Sequence, residues 1–454
     1  MDLSTKELEH TLGVKAVGPQ QSFTSVTSDT REIKPGALFV ALKGETRDGH
    51  DFIPLAIKSG ATGVISENAV SGATSFQVSN TLNAFRRIAR TWRGKVSFPV
   101  VAVCGSAGKT TSKELLAAIL RGRWPNVLKT EASQNGFTGI PTTLLRLRGH
   151  EGAAVVEVGI DDIGAMVQHL EIVQPTAGLL TSIGAEHLEK LLNVDTVARE
   201  ETELFRDLDT REGVVCINAD DPKILAAGLK VSSPHKCYYT IKSTAPKSDA
   251  PCIHGTLLDN QKLQVAFAPN ISAIFPMPLE GTHNALNLLG ALAMAYELGL
   301  TPEQMTKGLE TFTPPHGRSE THDWHGAKIY ADFYNANPIS VEAALATVTQ
   351  NFPGEKVWVC LGDMLELGSE EIQLHRALAQ PIQTHKIQNI LLFGPRMKHL
   401  AEALPGAIHF SSHNDLANYL AQHIKPGERA LIKGSRGMHM EHVWERLAQL
   451  PRSS

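Results

Sequence analysis

The chain has 454 residues, 42% of them hydrophobic and 20% charged, a balance that excludes wholesale disorder and, at roughly 150 residues per domain, suggests about three domains. Its formal charge of −4 argues against bulk nucleic-acid binding, which needs a basic surface. Its apolar stretches are broken by Asn, Glu or Gly before they reach the length of a membrane span.

The start, Met1-Asp2-Leu3-Ser4-Thr5-Lys6-Glu7, has no basic region leading into an apolar core, so no secretory signal is expected. The short runs Ala37–Leu42 and Ala61–Ser66 predict strands, with a helix between them over Asp51–Ser59. Asn83–Arg93 predicts a helix carrying Arg86, Arg87, Arg90 and Arg93. That row suits a solvated helix face better than a nucleic-acid patch. Gly94–Pro99 is a linker, and the β-branched run Val100–Cys104 after it predicts a buried parallel strand. Similar runs at Ala153–Val158, Ala177–Thr181 and Gly213–Ile217, separated by helical stretches, predict βαβ units. Asn284–Leu298 is an apolar-rich helix. Pro314-Pro315-His316-Gly317 marks a break. Beyond it, Lys328–Ala331, Val357–Leu361, Ile390–Phe393 and Ala430–Ile432 predict strands, with helices such as Ser340–Gln350 between them. The expected organisation is α/β in three parts: a small cap over 1–96, a central parallel-sheet domain over 97–313 and a Rossmann-like domain over 314–454. The five cysteines, Cys104, Cys216, Cys237, Cys252 and Cys360, show no CxxC spacing, so neither a disulfide scaffold nor structural zinc is expected, and a reducing cytoplasm fits. The 19 histidines include no HExxH pair and read mostly as surface or core residues.

The strongest chemical signal is Gly105-Ser106-Ala107-Gly108-Lys109-Thr110-Thr111, which follows a buried strand and opens a helix. The full phosphate-loop pattern wants another glycine five residues before Gly108, where Val103 stands, so this is a shortened form. Its context restores the meaning. Small residues let backbone N–H groups face phosphate oxygens, and a helix N-terminus adds favourable partial charge. Lys109 suits the β- and γ-phosphates, and the Thr110 hydroxyl suits Mg²⁺. Open parallel sheets place ligands at strand ends, where carboxylates and His are therefore of interest. Glu157 ends an apolar strand, an expensive place for an acid unless it is paired or metal-bound. His187 lies just beyond the next strand, and Glu201 further on in Val197–Phe205. Together with Thr110 these form a candidate Mg²⁺ cage of hard oxygens plus one imidazole.

With these residues assembled, the chain resembles the Mur ligase family of ATP-dependent amide-forming enzymes, and within it most closely the D-alanyl-D-alanine-adding branch. The resemblance is carried by Ser28-Asp29-Thr30-Arg31, Pro35–Gly44 and Asp48–Phe52, by Gly139–Leu145, and by Gly281-Thr282-His283-Asn284-Ala285-Leu286-Asn287. In the last part it rests on Tyr334–Pro338, Leu361–Gly368 and Lys433–Met438. It implies a UDP-sugar cap with Ser28, Thr30, Arg31 and Lys43 on the substrate. It also implies adenine contacts from Asn284 and Asn287, and Arg318 and Asp332 reaching nucleotide phosphate and ribose. Asn335, Asn337, Ser435 and Arg436 would lie near the incoming amine. ATP and Mg²⁺ would be the cofactors, UDP-MurNAc-tripeptide and D-Ala-D-Ala the substrates, and the enzyme a cytoplasmic monomer serving peptidoglycan precursor synthesis. Lys109, Glu157, His187 and Glu201 would be the catalytic set.

Two departures stand out. Many members of the family carry a carbamylated Lys that binds a second Mg²⁺, and its matching position here is Glu201. Both groups end in a carboxylate, but Glu is shorter by three bonds, about 3–4 Å when extended. Ser133–Thr138 also replaces the family's usual Asn pair, and Asp161-Asp162 after Gly159 is unusual. Two alternatives follow: a sibling ligase using a different amine or UDP-peptide, and a silent nucleotide-binding paralogue. A plain phosphate-loop kinase would not explain the motifs after residue 314.

Overall fold

The computed structural model describes residues 3–44, 46–242, 246, 248–258 and 261–451. The outermost residues of the expected first and last domains, 1–2 and 452–454, lie outside them, as do Met1 and Asp2 of the start. The chain forms two compact units. One comprises Met1–Ala102, Trp124–Gly159 and Met166–Ala177; the other comprises Val103–Arg123, Ile160–Ala165 and Gly178–Ser454.

In the first unit a four-stranded parallel sheet runs in the order Ser25–Thr27, Ala37–Val40, Ala61–Ser66, Thr74–Gln77. Its apolar face closes on Phe39, Ala41, Ile53, Ala56 and Val64. The helix expected over Asp51–Ser59 splits into a 3₁₀ turn, Gly49–Phe52, and an α-helix, Ile53–Lys58, with Pro54 in its first turn. The turn starts because Asp48 accepts the His50 N–H. The arginine-bearing helix is Thr81–Arg93, longer than expected by two residues at its start because Asn80 caps it through the Asn83 N–H. Ala84, Phe85, Ile88, Ala89 and Trp92 form its buried stripe. Arg93 is also buried and donates to the carbonyls of Val173 (2.9 Å) and Gln174 (2.7 Å). Val127–Lys129 and Ala153–Glu157 pair in parallel in the same unit.

The second unit holds the end of the strand Val100–Cys104 and the helix Lys109–Leu120 that follows it. Val214–Asn218, Lys236–Thr240 and Cys252–Leu258 pair in parallel, and Lys262–Ala268 and Ile271–Pro276 then add antiparallel. The sequence reading had no strands between 236 and 276. Lys262–Ala268 alternates exposed and buried residues, the signature of a half-solvated strand. The apolar helix Thr282–Glu297 packs on the phosphate-loop helix. Further on, a six-stranded sheet runs in the order Glu320–Trp324, Ala327–Ala331, Arg429–Lys433, Val357–Gly362, Asn389–Phe393, Ile408–Phe410. All its pairs are parallel except the opening hairpin. Apolar cores cover both faces, one around Leu345, Val359 and Leu392, the other around Ile329, Cys360 and Leu420, as a doubly wound sheet requires. Among the described residues no helix is long and apolar enough to cross a membrane.

Candidate active site

The strand Val100–Cys104 is buried along its whole length, and the chain turns sharply at its end. Gly105 has φ +121°, and a Cβ there would sit 2.3 Å from Thr181 Oγ1. Gly108 has φ +85°, and its Cβ would meet Asn287 Oδ1 at 2.4 Å. Both positions therefore need glycine, for backbone conformation and for space. The turn is pinned by the segment just after the strand Ala177–Leu180: the Ser106 N–H donates to the Ser182 carbonyl (2.8 Å) and the Ala107 N–H to Ser182 Oγ (3.0 Å). The helix begins at Lys109, so its first amide groups face outward from the turn.

Lys109 reaches across to Glu186, with Nζ 3.3 Å from Oε2, and also donates to the Gly105 carbonyl. Glu186 is 8% exposed; the sequence reading did not single it out, although it directly precedes His187. Thr110 Oγ1 is buried without a hydrogen-bond partner. Glu201, at the end of the helix Val194–Glu201, is fully buried, and neither carboxylate oxygen makes a hydrogen bond of normal geometry. Burial pushes its carboxyl up to about 8; Lys109 opposes that shift, and the negative charges of Glu186 and Glu200 add to it. His187 adopts φ +49° at the head of a short helix, Leu188–Leu191, and its Nδ1 pairs with Glu366. Burial disfavours the charged ring, but the Glu366 hydrogen bond and nearby Glu186 outweigh it, so the His187 pKa is raised.

Glu157 belongs to the first unit. It is 1% exposed, its Oε1 accepts from Asn135 Nδ2 (2.8 Å), and its N–H donates to Thr130 Oγ1 (3.0 Å). Among the described residues no three His, Cys, Asp or Glu side chains converge closely enough to hold an ion. Of the expected cage residues, His187 pairs with Glu366 and Glu157 with Asn135. The donors that fit a hard divalent cation are the Thr110 hydroxyl and the Glu201 carboxylate, oxygen ligands that are buried and unpartnered.

Beside the loop, Asn287 Nδ2 lies 3.4 Å from Asn284 Oδ1, and Ser112 Oγ donates to Asn287 Oδ1 (3.3 Å). Asn284 donates to the Glu280 carbonyl (2.7 Å) and to Ser319 Oγ (3.3 Å). Asp332 accepts from the Ser319 N–H (3.1 Å) and from Lys433 Nζ (2.5 Å). Glu280, His283, Ser319 and Asp332 line one small cavity. Arg318 stacks on the Tyr334 ring at 4.0 Å, and Arg436 approaches the same ring at 5.6 Å. Asn337 caps the helix Pro338–Thr349 and donates to the Ser106 carbonyl (3.2 Å), which ties the Tyr334–Pro338 stretch to the phosphate loop. Ser435 is buried and bridges the Ala336 carbonyl (3.0 Å) and the Leu365 N–H (2.8 Å). Asn335 is exposed, with its Oδ1 on the Ala336 N–H at 2.9 Å.

In the first unit, Asp29 caps the turn Thr30–Glu32 and holds the exposed Arg31 guanidinium at 2.6 Å. Ser28 and Thr30 flank that carboxylate half-exposed, and Lys43 pairs through its backbone with Asp48.

Residues 22–118 match the Mur ligase family, catalytic domain; residues 103–295 match the Mur ligase middle domain; residues 317–436 match the Mur ligase, glutamate ligase domain. The UDP-N-acetylmuramoyl-tripeptide–D-alanyl-D-alanine ligase of Synechocystis sp. is 32% identical over 445 residues, covering 96% of this chain and 94% of that one. The Escherichia coli enzyme of the same name is 30% identical, with 98% of each chain covered. Among solved structures, MurF from Acinetobacter baumannii superposes with a TM-score of 0.89 at 27% identity over 99% of both chains. MurF ligase from Thermotoga maritima in complex with ADP gives 0.81 at 25% identity, covering 93% of this chain and 96% of that one. Matched end to end by such relatives, this chain belongs to the Mur ligase family and has its three-domain α/β architecture.

Proposed function

We propose that this chain is an ATP-dependent ligase that joins D-alanyl-D-alanine to UDP-N-acetylmuramoyl-tripeptide in peptidoglycan precursor synthesis. The observation that carries the reading is the glycine turn at 105–108 with Lys109 and Thr110 at its helix start, in a chain whose full-length relatives bear that ligase's name. A carboxylate is a poor electrophile, and ATP activates it. The terminal carboxylate of the UDP-linked peptide attacks the γ-phosphorus and ADP leaves, giving an acyl phosphate. The free amine of D-Ala-D-Ala attacks the acyl carbon, loses a proton and expels inorganic phosphate. Lys109 offsets charge on the phosphoryl group in flight, and the loop amides hold it in line.

The limits 1–96, 97–313 and 314–454 divide the labour: UDP-sugar, nucleotide and amine. Asn284, Asn287, Arg318 and Asp332 serve the nucleotide. Ser28, Thr30, Arg31 and Lys43 serve the UDP-sugar, and Asn335, Asn337, Ser435 and Arg436 the amine side. Thr110 and Glu201 would hold Mg²⁺, with Glu157 and His187 completing the site around the substrates. Bound there, the ion would neutralise phosphate charge. ATP and a UDP-linked peptide as substrates support a cytoplasmic enzyme, which we take to act as a monomer.

Mass spectrometry of the product formed from UDP-MurNAc-tripeptide, D-Ala-D-Ala and ATP tests the reading, with Lys109→Ala as control. The expected result is the pentapeptide, ADP and phosphate from the parent only. Nucleotide binding without phosphate release would instead identify a silent paralogue. Turnover with another amine alone would identify a sibling ligase.

A further inference from the structure

The helix Thr81–Arg93 carries arginines at 86, 87, 90 and 93, and the ligase reaction uses none of them. At 100° per residue they fall within an arc of about 120°, so four like charges share one side of the helix. Arg93 is accounted for by the carbonyls it binds at the buried end. The other three face a shared opening instead. Arg86, Arg87 and Arg90 line one cavity of about 470 Å³ in the first unit, together with Asn80, Asn83 and Glu171. Leu12 and Ile172 give it an apolar wall.

Charge in this cavity is out of balance. Glu171 is its only carboxylate against three guanidinium groups. Arg86 donates to the Gln168 side chain and carbonyl at 3.0 Å each, and Arg87 to the Leu12 carbonyl at 3.1 Å. All three acceptors are neutral, and Glu171, whose charge favours the Arg86 cation, offsets at most one of the three positive charges. Arg90 is exposed, and its guanidinium makes neither a hydrogen bond nor an ion pair among the described residues. Arg86 is half-buried, and burial pulls its pKa down, a cost that a bound anion would offset. Guanidinium forks match phosphate oxygens two at a time. Asn80 and Asn83 bring side-chain amides to the same opening. In a chain of net charge −4, such a concave positive site gathers anions selectively.

We propose that this cavity is a binding site for a small phosphate-bearing anion of two or more charges, separate from both the glycine turn at Lys109 and the Ser28–Arg31 stretch. None of its lining residues belongs to either. Occupancy there would tie the helix Thr81–Arg93 to the helix Ala165–Val173, which supplies Gln168, Glu171 and Ile172.

The test is hydrogen exchange on the full chain titrated with inorganic pyrophosphate, read at peptides spanning 79–91. Protection there is expected, retained in Lys109→Ala and weakened at least tenfold in Arg90→Glu. Because the exposed Arg90 side chain makes no hydrogen bond or ion pair among the described residues, that variant should melt like the parent. Arg90→Lys should recover part of the binding. No protection at 79–91 with saturating pyrophosphate, or equal protection in Arg90→Glu, overturns the proposal. So does equal protection by acetate at matched ionic strength, which would reveal simple screening.

Discussion

Lys109 and Glu186 face each other across the glycine turn, with Nζ 3.3 Å from Oε2, while the same ammonium donates to the Gly105 carbonyl. The lysine proposed to bind phosphate is thereby held at low exposure, its charge balanced by one neighbouring acid. Lys109→Ala removes the cation proposed to meet the transferring phosphoryl group. It should lower kcat by about 10²–10³, the usual cost of deleting one preorganised electrostatic partner. The melting temperature should fall as well, since Glu186, only 8% exposed, is left without its cation. Steady-state phosphate release alongside thermal denaturation checks both halves; a variant that keeps its turnover would remove Lys109 from the chemistry.

Much of this was legible in the chain itself. Val100–Cys104 was read to the residue, because a β-branched apolar run ending in Gly-x-x-Gly-Lys has few other uses. The doubly wound sheet after residue 320 was legible for the same reason: its inner strands, Val357–Gly362 and Arg429–Lys433, are apolar and short. The meander through Lys262–Pro276 was not, because an alternating strand such as Lys-Leu-Gln-Val-Ala-Phe-Ala carries half its residues in polar or small form. In the site, single residues with a chemical signature were legible, and partnerships were not. Nothing local in the sequence pairs His187 with Glu366, 179 positions away, or Asn135 with Glu157. Glu186 was overlooked because an acid next to a histidine draws less notice than the histidine.

By the family resemblance, Glu201 matches the carbamylated lysine of many Mur ligases, and neither of its buried oxygens makes a hydrogen bond of normal geometry. A glutamate needs no carbon dioxide to become a carboxylate. Activity should therefore be unchanged when bicarbonate and CO₂ are stripped from the assay. Glu201→Lys should acquire a bicarbonate requirement, because its amine must be carbamylated before it offers oxygen to a cation. Direct titration of Mg²⁺ binding by calorimetry, with and without bicarbonate, gives the same contrast without turnover. A parent enzyme that stalls in CO₂-free buffer would contradict the assignment.

His169 makes the first unit sensitive to acid. The ring is fully buried, neither nitrogen has a hydrogen-bond partner, and it packs 4.6 Å from the Phe137 ring. Arg86 lies 5.2 Å from the other partner in that contact, Phe137. Burial, then the Arg86 charge, push the pKa from 6.5 down to about 4. Above 6.5 the ring is neutral both folded and unfolded, and pH has no leverage through it. Between 6.5 and 4 the unfolded chain takes up a proton that the folded one refuses, so stability falls as pH falls, by up to about 3 kcal/mol. Melting temperatures from pH 7.5 to 4.5 should decline, and His169→Leu should decline less steeply. Parallel slopes would place the acid sensitivity elsewhere.

Lys433 and Asp332 join the end of one strand to the start of the nucleotide side of the site. The lysine is 2% exposed and holds the Asp332 carboxylate at 2.5 Å and the Asn335 carbonyl at 2.9 Å. Asp332 in turn fixes Ser319, which orders Asn284. Lys433→Met keeps the length of the side chain and removes its charge, leaving a largely buried carboxylate without its cation, at a cost of about 2–4 kcal/mol. The loss should appear as lowered stability together with a raised KM for ATP, because the chain of contacts from Asp332 to Asn284 loosens. The double variant Lys433→Met/Asp332→Asn separates the two effects. Removing the stranded charge should restore most of the stability, while KM for ATP stays high because Asp332 no longer offers a carboxylate to the nucleotide. If the double variant recovers KM as well, the pair is only a structural tie and Asp332 does not meet the nucleotide.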